Sequence, residues 1–110
     1  MVEVPAIILE KINNFLDLLN DNNIRVIKAY LFGSYSKGNY DEWSDIDLAI
    51  ISNDFTGNSF QDKINLIDFI YQTGKEISPL PFKEEDFENN LFAQTEIKKN
   101  GIVIQKFQNN

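Results

Sequence analysis

Apolar residues along this chain follow two spacings, one typical of helices and one typical of strands. Helical spacing predicts a first helix from Pro5 to about Asn20 and a second from Ser59 to Gly74. In the second helix, Ser59 and Asp62 resemble a capping box at the start. The residues expected to form its buried stripe are Phe60, Ile64, Ile67 and Tyr71.

Runs of β-branched and aromatic residues predict four strands. They cover Ile24–Phe32, Asp45–Ser52, Lys75–Phe82 and Ile102–Phe107. The second run continues apolar on both faces, which indicates a central strand buried on both sides. Pro79 and Pro81 lack the N–H groups that an interior strand needs, so the third run either lies at a sheet edge or stops pairing early.

Polar residues between the first two strands suggest chemistry. Gly33 and Ser34 end the first strand, and glycine lets the backbone approach a ligand while a helix N-terminus favours phosphate. Asp45 and Asp47 begin the second strand and share one face, about 6.5–7 Å apart along the backbone. Two hard oxygen ligands beside such a turn predict a magnesium–nucleotide site.

Each of these elements has an ordinary structural explanation, since Gly-Ser is often a simple turn and Asp-x-Asp a solvated strand entry. With average residue usage, their combination at one fixed spacing arises about once per thousand chains of this length. The combination therefore favours function. Lys37 could reach a triphosphate, or it could be a solvated surface lysine, and Glu76 could face the aspartates or solvent.

Gly33-Ser34, a ten-residue gap and Asp45-Ile46-Asp47 together resemble the signature of the DNA polymerase beta-type nucleotidyltransferase superfamily. The finer pattern resembles its minimal nucleotidyltransferase branch, with Gly33-Ser34-Tyr35-Ser36-Lys37-Gly38 followed by Ser44-Asp45-Ile46-Asp47-Leu48. The resemblance implies one domain over residues 1–110 with an α/β fold, a small mixed sheet with helices packed mainly on one face. This chain departs from the branch in offering Glu76 where a third aspartate is usual.

The resemblance also implies an activity, namely transfer of AMP from ATP to a hydroxyl. Asp45, Asp47 and Glu76 would be the catalytic and metal-binding carboxylates for two Mg²⁺ ions, and Gly33, Ser34 and Lys37 would bind the nucleotide. Members of this branch are often antitoxins that modify a tyrosine of an HEPN-domain toxin, which makes such a toxin the expected partner. Two alternatives stay open: a small-molecule nucleotidyltransferase like the aminoglycoside-modifying relatives, and a binding module that neutralises its partner by contact.

Composition restricts these hypotheses. The chain has no histidine and no cysteine, so acid–base and metal chemistry must rest on carboxylates, and the lack of thiols is consistent with a cytoplasmic protein. Ten basic against seventeen acidic residues give a net charge of −7. That balance argues against extended nucleic-acid binding, which depends on clustered lysine and arginine. We expect no membrane span, because every apolar run is shorter than the roughly 18–20 residues required.

Overall fold

The computed structural model describes residues 3–104, which contain five helices and four strands. The helices are Ala6–Asp21 (α1), Ser34–Lys37 (α2), Ser59–Thr73 (α3), Glu84–Glu88 (α4) and the π-helical Ala93–Lys98 (α5). The strands are Lys28–Phe32 (β1), Ile46–Ile51 (β2), Ile77–Phe82 (β3) and Ile102–Ile104 (β4).

The strands form one mixed sheet in the order β3-β2-β1-β4. Strand β1 is antiparallel to both β2 and β4, while β2 and β3 are parallel and are connected through α3. This arrangement confirms the predicted α/β fold, with β2 in the interior and the proline-containing β3 at an edge. The predicted last strand is present over Ile102–Ile104, and its remaining residues 105–107 lie outside the described range.

Alternation along β2 divides the core between the two faces of the sheet. Ile46, Leu48 and Ile50 point to the face covered by α1 and α3, where they join the larger apolar cluster. Ala49 and Ile51 point to the other face, where a smaller cluster includes residues of α4 and α5. The two long helices therefore share one face, as expected. The opposite face stays open at the β2 entry, where the aspartates lie.

The prediction for the buried side of α3 is wrong. Phe60 and Tyr71 are 73% and 67% exposed, and Ile64 and Ile67 are 43% and 44% exposed, whereas the neighbouring Leu66 is completely buried. This helix carries apolar residues on two adjacent sides, and periodicity alone does not say which side faces the sheet. Leu66 packs inward together with the partly buried Phe69 and Ile70.

The start of α3 also differs from the predicted capping box. The N-cap is Asn58, whose side chain accepts a hydrogen bond from the Gln61 N–H at 3.0 Å. Asp62 is buried and accepts instead from the backbone N–H and hydroxyl of Thr56 and from the Gly57 N–H. Its carboxylate therefore orders the loop before the helix.

Strand β1 begins four residues later than predicted. The Val26 N–H donates to the Asn20 side chain, and the backbone and side chain of Arg25 donate to Asp54, so residues 25 and 26 are bonded to groups outside the sheet ladder. In the described part of the chain, no helix combines the length and apolar character that crossing a bilayer requires.

Candidate nucleotide site

The turn after β1 and the start of β2 meet at one corner of the sheet. Gly33 has φ +74°, and a β-carbon built on it would overlap the carboxylate of Asp47. Phe32, directly before the turn, is paired with Asp47 across the two antiparallel strands. The backbone bend and the carboxylate, predicted separately from the sequence, therefore lie in van der Waals contact.

Helix α2 starts at Ser34, immediately after that bend. The Gly33 carbonyl accepts from the N–H groups of Ser36 and Lys37, which closes the first turn. The N–H groups at the beginning of a helix have no intrahelical partner and attract anions. Lys37 is the last residue of α2 and is exposed, so its ammonium group has solvent access on the same short helix.

Asp45 and Asp47 differ in environment. Asp47 is partly buried on the interior strand, and Asp45 is exposed just before that strand begins. Burial raises the pKa of the Asp47 carboxyl, and the nearby negative charge of Asp45 raises this pKa further. Both effects disfavour two ionised carboxylates, and a bound cation would offset both. The chemistry of this pair therefore fits a hard divalent ion.

Glu76 lies in the turn immediately before β3. Its carbonyl accepts from the Ile46 N–H at 2.8 Å, and Ile77 pairs with Ile46, so the parallel register brings Glu76 beside Asp45. Its carboxylate, however, accepts a 2.6 Å hydrogen bond from the Lys11 ammonium group. This hydrogen bond, together with one from the backbone N–H of Glu76, lowers the pKa of the Glu76 carboxyl. Within residues 3–104, no three acidic side chains are grouped as metal ligands.

Two residues that sequence reasoning did not single out also belong to this region. Lys11 of α1 binds Glu76, a long-range contact for which the sequence gives no signal. Ser78 is paired with Asp47 across the parallel strands, so the two side chains share a face. A strand register would have identified Ser78, but the register cannot be read from the sequence.

A groove of about 660 Å³ lies away from this corner, at the end of β3, where it is lined by residues 80–83, the start of α3 and Phe92. Leu80 and Phe82 form its floor, and Phe92 lines its wall. The Phe92 ring also makes an edge contact with Phe32, the strand partner of Asp47. Phe82 and Phe92 thus give this groove an aromatic lining near the end of β3, whereas Asp45 and Asp47 lie at the start of β2 and do not line it.

A mixed sheet with a glycine bend against paired carboxylates defines the nucleotidyltransferase class of fold. The chain belongs to the nucleotidyltransferase domain family, whose sequence profile matches residues 9–104.

Two relatives are similar in sequence. Protein adenylyltransferase MntA of Shewanella oneidensis is 44% identical over 46 residues, which are 42% of this chain and only 33% of that relative. The chain thus matches one third of the length of that protein. MJ0141 of Methanocaldococcus jannaschii, provisionally named a protein adenylyltransferase, is 35% identical over 85 residues, 76% of this chain and 83% of that protein.

Two solved structures share the fold. A Sulfolobus solfataricus protein provisionally named a nucleotidyltransferase superposes with a TM-score of 0.62 at 16% identity, covering 87% of this chain and 78% of that one. A toxin–antitoxin structure with AMP-PNP superposes with a TM-score of 0.56 at 23% identity, covering 91% and 74%.

Proposed function

We propose that this protein is an adenylyltransferase that moves AMP from ATP to a hydroxyl group of a partner protein. The observation that carries the proposal is the contact between Gly33 and Asp47, which joins a phosphate-sized backbone bend to a partly buried carboxylate. Membership of the nucleotidyltransferase domain family supports the reaction class. The two relatives named as protein adenylyltransferases support AMP and a protein acceptor.

In this proposal, different groups of the chain bind different parts of the ATP triphosphate. The backbone at Gly33 and Ser34 binds the β- and γ-phosphates at the start of α2, and Lys37 adds positive charge to the triphosphate end. Asp45 and Asp47 would hold Mg²⁺, which supplies charge stabilisation at the α-phosphate and the leaving group. A second Mg²⁺ requires a further ligand, for which we propose Glu76.

The reaction is a single displacement at phosphorus. The acceptor oxygen forms a bond to the α-phosphorus of ATP, the bond from that phosphorus to the β-bridging oxygen breaks, and pyrophosphate leaves. The acceptor proton passes to a carboxylate, for which Glu76 is the candidate because its backbone lies beside Asp45. To act in this way, Glu76 must exchange its bond with Lys11 for one at the reacting centre.

The acceptor in this proposal is a tyrosine of an HEPN-domain toxin, with this chain as the antitoxin. A fold neighbour captured as a toxin–antitoxin with AMP-PNP supports a toxin partner and ATP as donor.

The test is label transfer. With α-labelled ATP, Mg²⁺ and the protein encoded next to this one, we expect the wild type to label its neighbour and Asp47→Asn to lose the transfer. Asp17→Asn, which removes an exposed carboxylate on α1, is the matched control and should retain it. Calorimetric titration of ATP and Mg²⁺ should show weakened binding in Asp45→Asn. Undiminished labelling by Asp47→Asn would remove this residue from the mechanism.

A second candidate is a binding module that silences its partner by contact alone. The bond between Glu76 and Lys11 favours it, because the third carboxylate is occupied by an internal cation. The Asp45→Asn, Asp47→Asn double variant separates the two candidates. If this variant still neutralises the partner and the wild type transfers no label, contact is the activity.

A further inference from the structure

The outward face of α3 carries a line of four exposed apolar side chains, which we call the α3 stripe. Its members are Phe60, Ile64, Ile67 and Tyr71. Single exposed apolar residues are common on protein surfaces, but a continuous row of them marks an interaction site. The buried side of the same helix is complete without this row, since Leu66 already packs inward together with Phe69 and Ile70.

The spacing within the α3 stripe is that of a helix–helix seam. Its members are separated by four, three and four residues, which matches positions d, a, d and a of a heptad. Because α3 is already folded against β3 and α1, a second helix could pack on this seam without the free-energy cost of forming α3. The stripe therefore fits another preformed helix that carries a matching apolar row.

The charges of two exposed residues on the flanks of the α3 stripe indicate which helix packs against it. Lys63 occupies a g position and Asp68 the e position five residues later, on opposite flanks of the seam. In a parallel pair of helices, a residue at position g of one helix lies next to the residue at position e, five places later, of the other helix. In an antiparallel pair, position g lies next to g and position e next to e. A second copy of α3 in parallel orientation thus pairs Lys63 with Asp68 of the second copy, and the two-fold axis repeats the contact.

We propose that the α3 stripe is the seam of a parallel, two-fold symmetric dimer of this chain. Ile64 and Ile67 pack against their symmetry mates, and the Lys63–Asp68 pairs fix the orientation. The net charge of −7 opposes association only weakly, because charges farther apart than about 8 Å are screened at physiological salt. At the seam itself Lys63 and Asp68 balance each other, and the ammonium group of Lys75, 5.6 Å from the centre of the Tyr71 ring, adds one positive charge.

The sheet edge formed by β3 does not offer the hydrogen bonds that an added strand of a partner would need. Glu76 and Phe82 direct their carbonyls towards β2, so alternation along the parallel strand turns the backbone groups of residues 77, 79 and 81 outward. Two of these are prolines, which have no N–H, and the Ile77 N–H donates to the Gly74 carbonyl. Along Ile77–Phe82, this edge therefore presents no N–H to an added strand, and association beside it must use side chains.

The first experiment measures molar mass against protein concentration by analytical ultracentrifugation. We expect the full chain to dimerise reversibly and Ile64→Glu, Ile67→Glu to remain monomeric, because charges then occupy the centre of the seam. The matched control is Asn65→Glu, Gln72→Glu, which adds the same charge to exposed positions of the same helix and should dimerise like the wild type. Circular dichroism checks that each variant is folded.

The second experiment tests the parallel orientation by charge reversal. Lys63→Glu sets a glutamate against Asp68 of the second copy, and Asp68→Lys sets a second lysine against Lys63, so each variant alone should dimerise roughly tenfold more weakly. Mixing the two variants creates two favourable pairs and should restore wild-type affinity as a heterodimer. Failure of the mixture to recover would overturn the parallel arrangement.

Other results would overturn the dimer itself. A wild-type chain that stays monomeric at every concentration contradicts the proposal, as does a dimer that persists in Ile64→Glu, Ile67→Glu. If the chain is monomeric and this double variant loses binding to the protein acceptor of the label-transfer assay, the α3 stripe is a docking site for that protein. The molar-mass measurements do not depend on nucleotidyl transfer, so the dimer and the activity are tested separately.

Discussion

The carboxylate of Asp47 occupies the space that a β-carbon on Gly33 would need. This relationship couples the backbone bend at Gly33 to the carboxylate more closely than sequence spacing suggests. No side chain fits at residue 33 without moving Asp47. The site therefore requires glycine for two reasons, the positive φ of +74° and the contact with the carboxylate.

We expect Gly33→Ala to reduce label transfer by about 10²-fold, because displacing a catalytic group by about an ångström has an effect of that size. The free energy of unfolding should also fall by about 1–3 kcal/mol, because residues other than glycine rarely adopt φ +74° with ψ −144°. Gly57→Ala is the matched control, with φ +96° but only ordinary contact to the Lys83 side chain. It should lose similar stability in a denaturant titration and keep its activity. Equal activity in both variants would show that the Asp47 contact has no functional role.

The bond between Glu76 and Lys11 gives a second prediction. If Glu76 acts at the reacting centre, Glu76→Gln should slow label transfer by roughly tenfold to a hundredfold. Lys11→Met removes the competing cation and should leave the transfer rate equal to the wild type or higher. The measurement is the single-turnover rate of label transfer, compared between each of the two variants and the wild type.

A substitution at Ser78 tests whether the third carboxylate acts from residue 78 and not from Glu76. Ser78→Asp adds a carboxylate beside Asp47 on the neighbouring strand. An unchanged rate in Glu76→Gln, together with faster transfer in Ser78→Asp, would place the third carboxylate position at residue 78. Glu76 would then be a structural partner of Lys11.

The two sides of α3 should differ in their contribution to stability. Leu66 is completely buried, so Leu66→Ala should lower the free energy of unfolding by about 2–5 kcal/mol through lost burial and a cavity. Ile67 is 44% exposed, and Ile67→Ala should change the free energy of unfolding by less than about 1 kcal/mol. Chemical denaturation at a protein concentration low enough to keep the chain monomeric measures both. A larger loss for Ile67→Ala would mean that α3 packs through its other side.

Arg25 and Asp54 predict a pH dependence at low pH. Asp54 accepts hydrogen bonds from the Arg25 side chain and from its backbone N–H, which lower the pKa of the Asp54 carboxyl to about 2. Because the folded-state pKa lies below the ordinary value of about 4, ionised Asp54 stabilises the fold above pH 4. That contribution disappears as the pH falls towards 2. The stability difference between the wild type and Asp54→Asn should follow this course, and a difference that stays constant across the range contradicts it.

Much of the fold could be predicted from the sequence because its signals are local. The proline at residue 5, the asparagines after residue 20 and Gly74 mark helix ends, and Pro79 and Pro81 mark an edge strand. Continuous apolar character identified β2 as an interior strand. The start of β1 was missed because the bond between Arg25 and Asp54 joins residues 29 positions apart, beyond the reach of any local pattern.

By itself, the sequence determined which residues we propose for the chemistry: a glycine followed by a serine, and two aspartates at the entry of a buried strand. The tertiary structure decided how these groups meet. Strand pairing brought Gly33 against Asp47 and Ser78 beside it, and the packing of α1 gave Glu76 a lysine partner. It also decided which apolar side of α3 is buried, because two sides with similar periodicity are distinguished only by the shape of the surface they pack against.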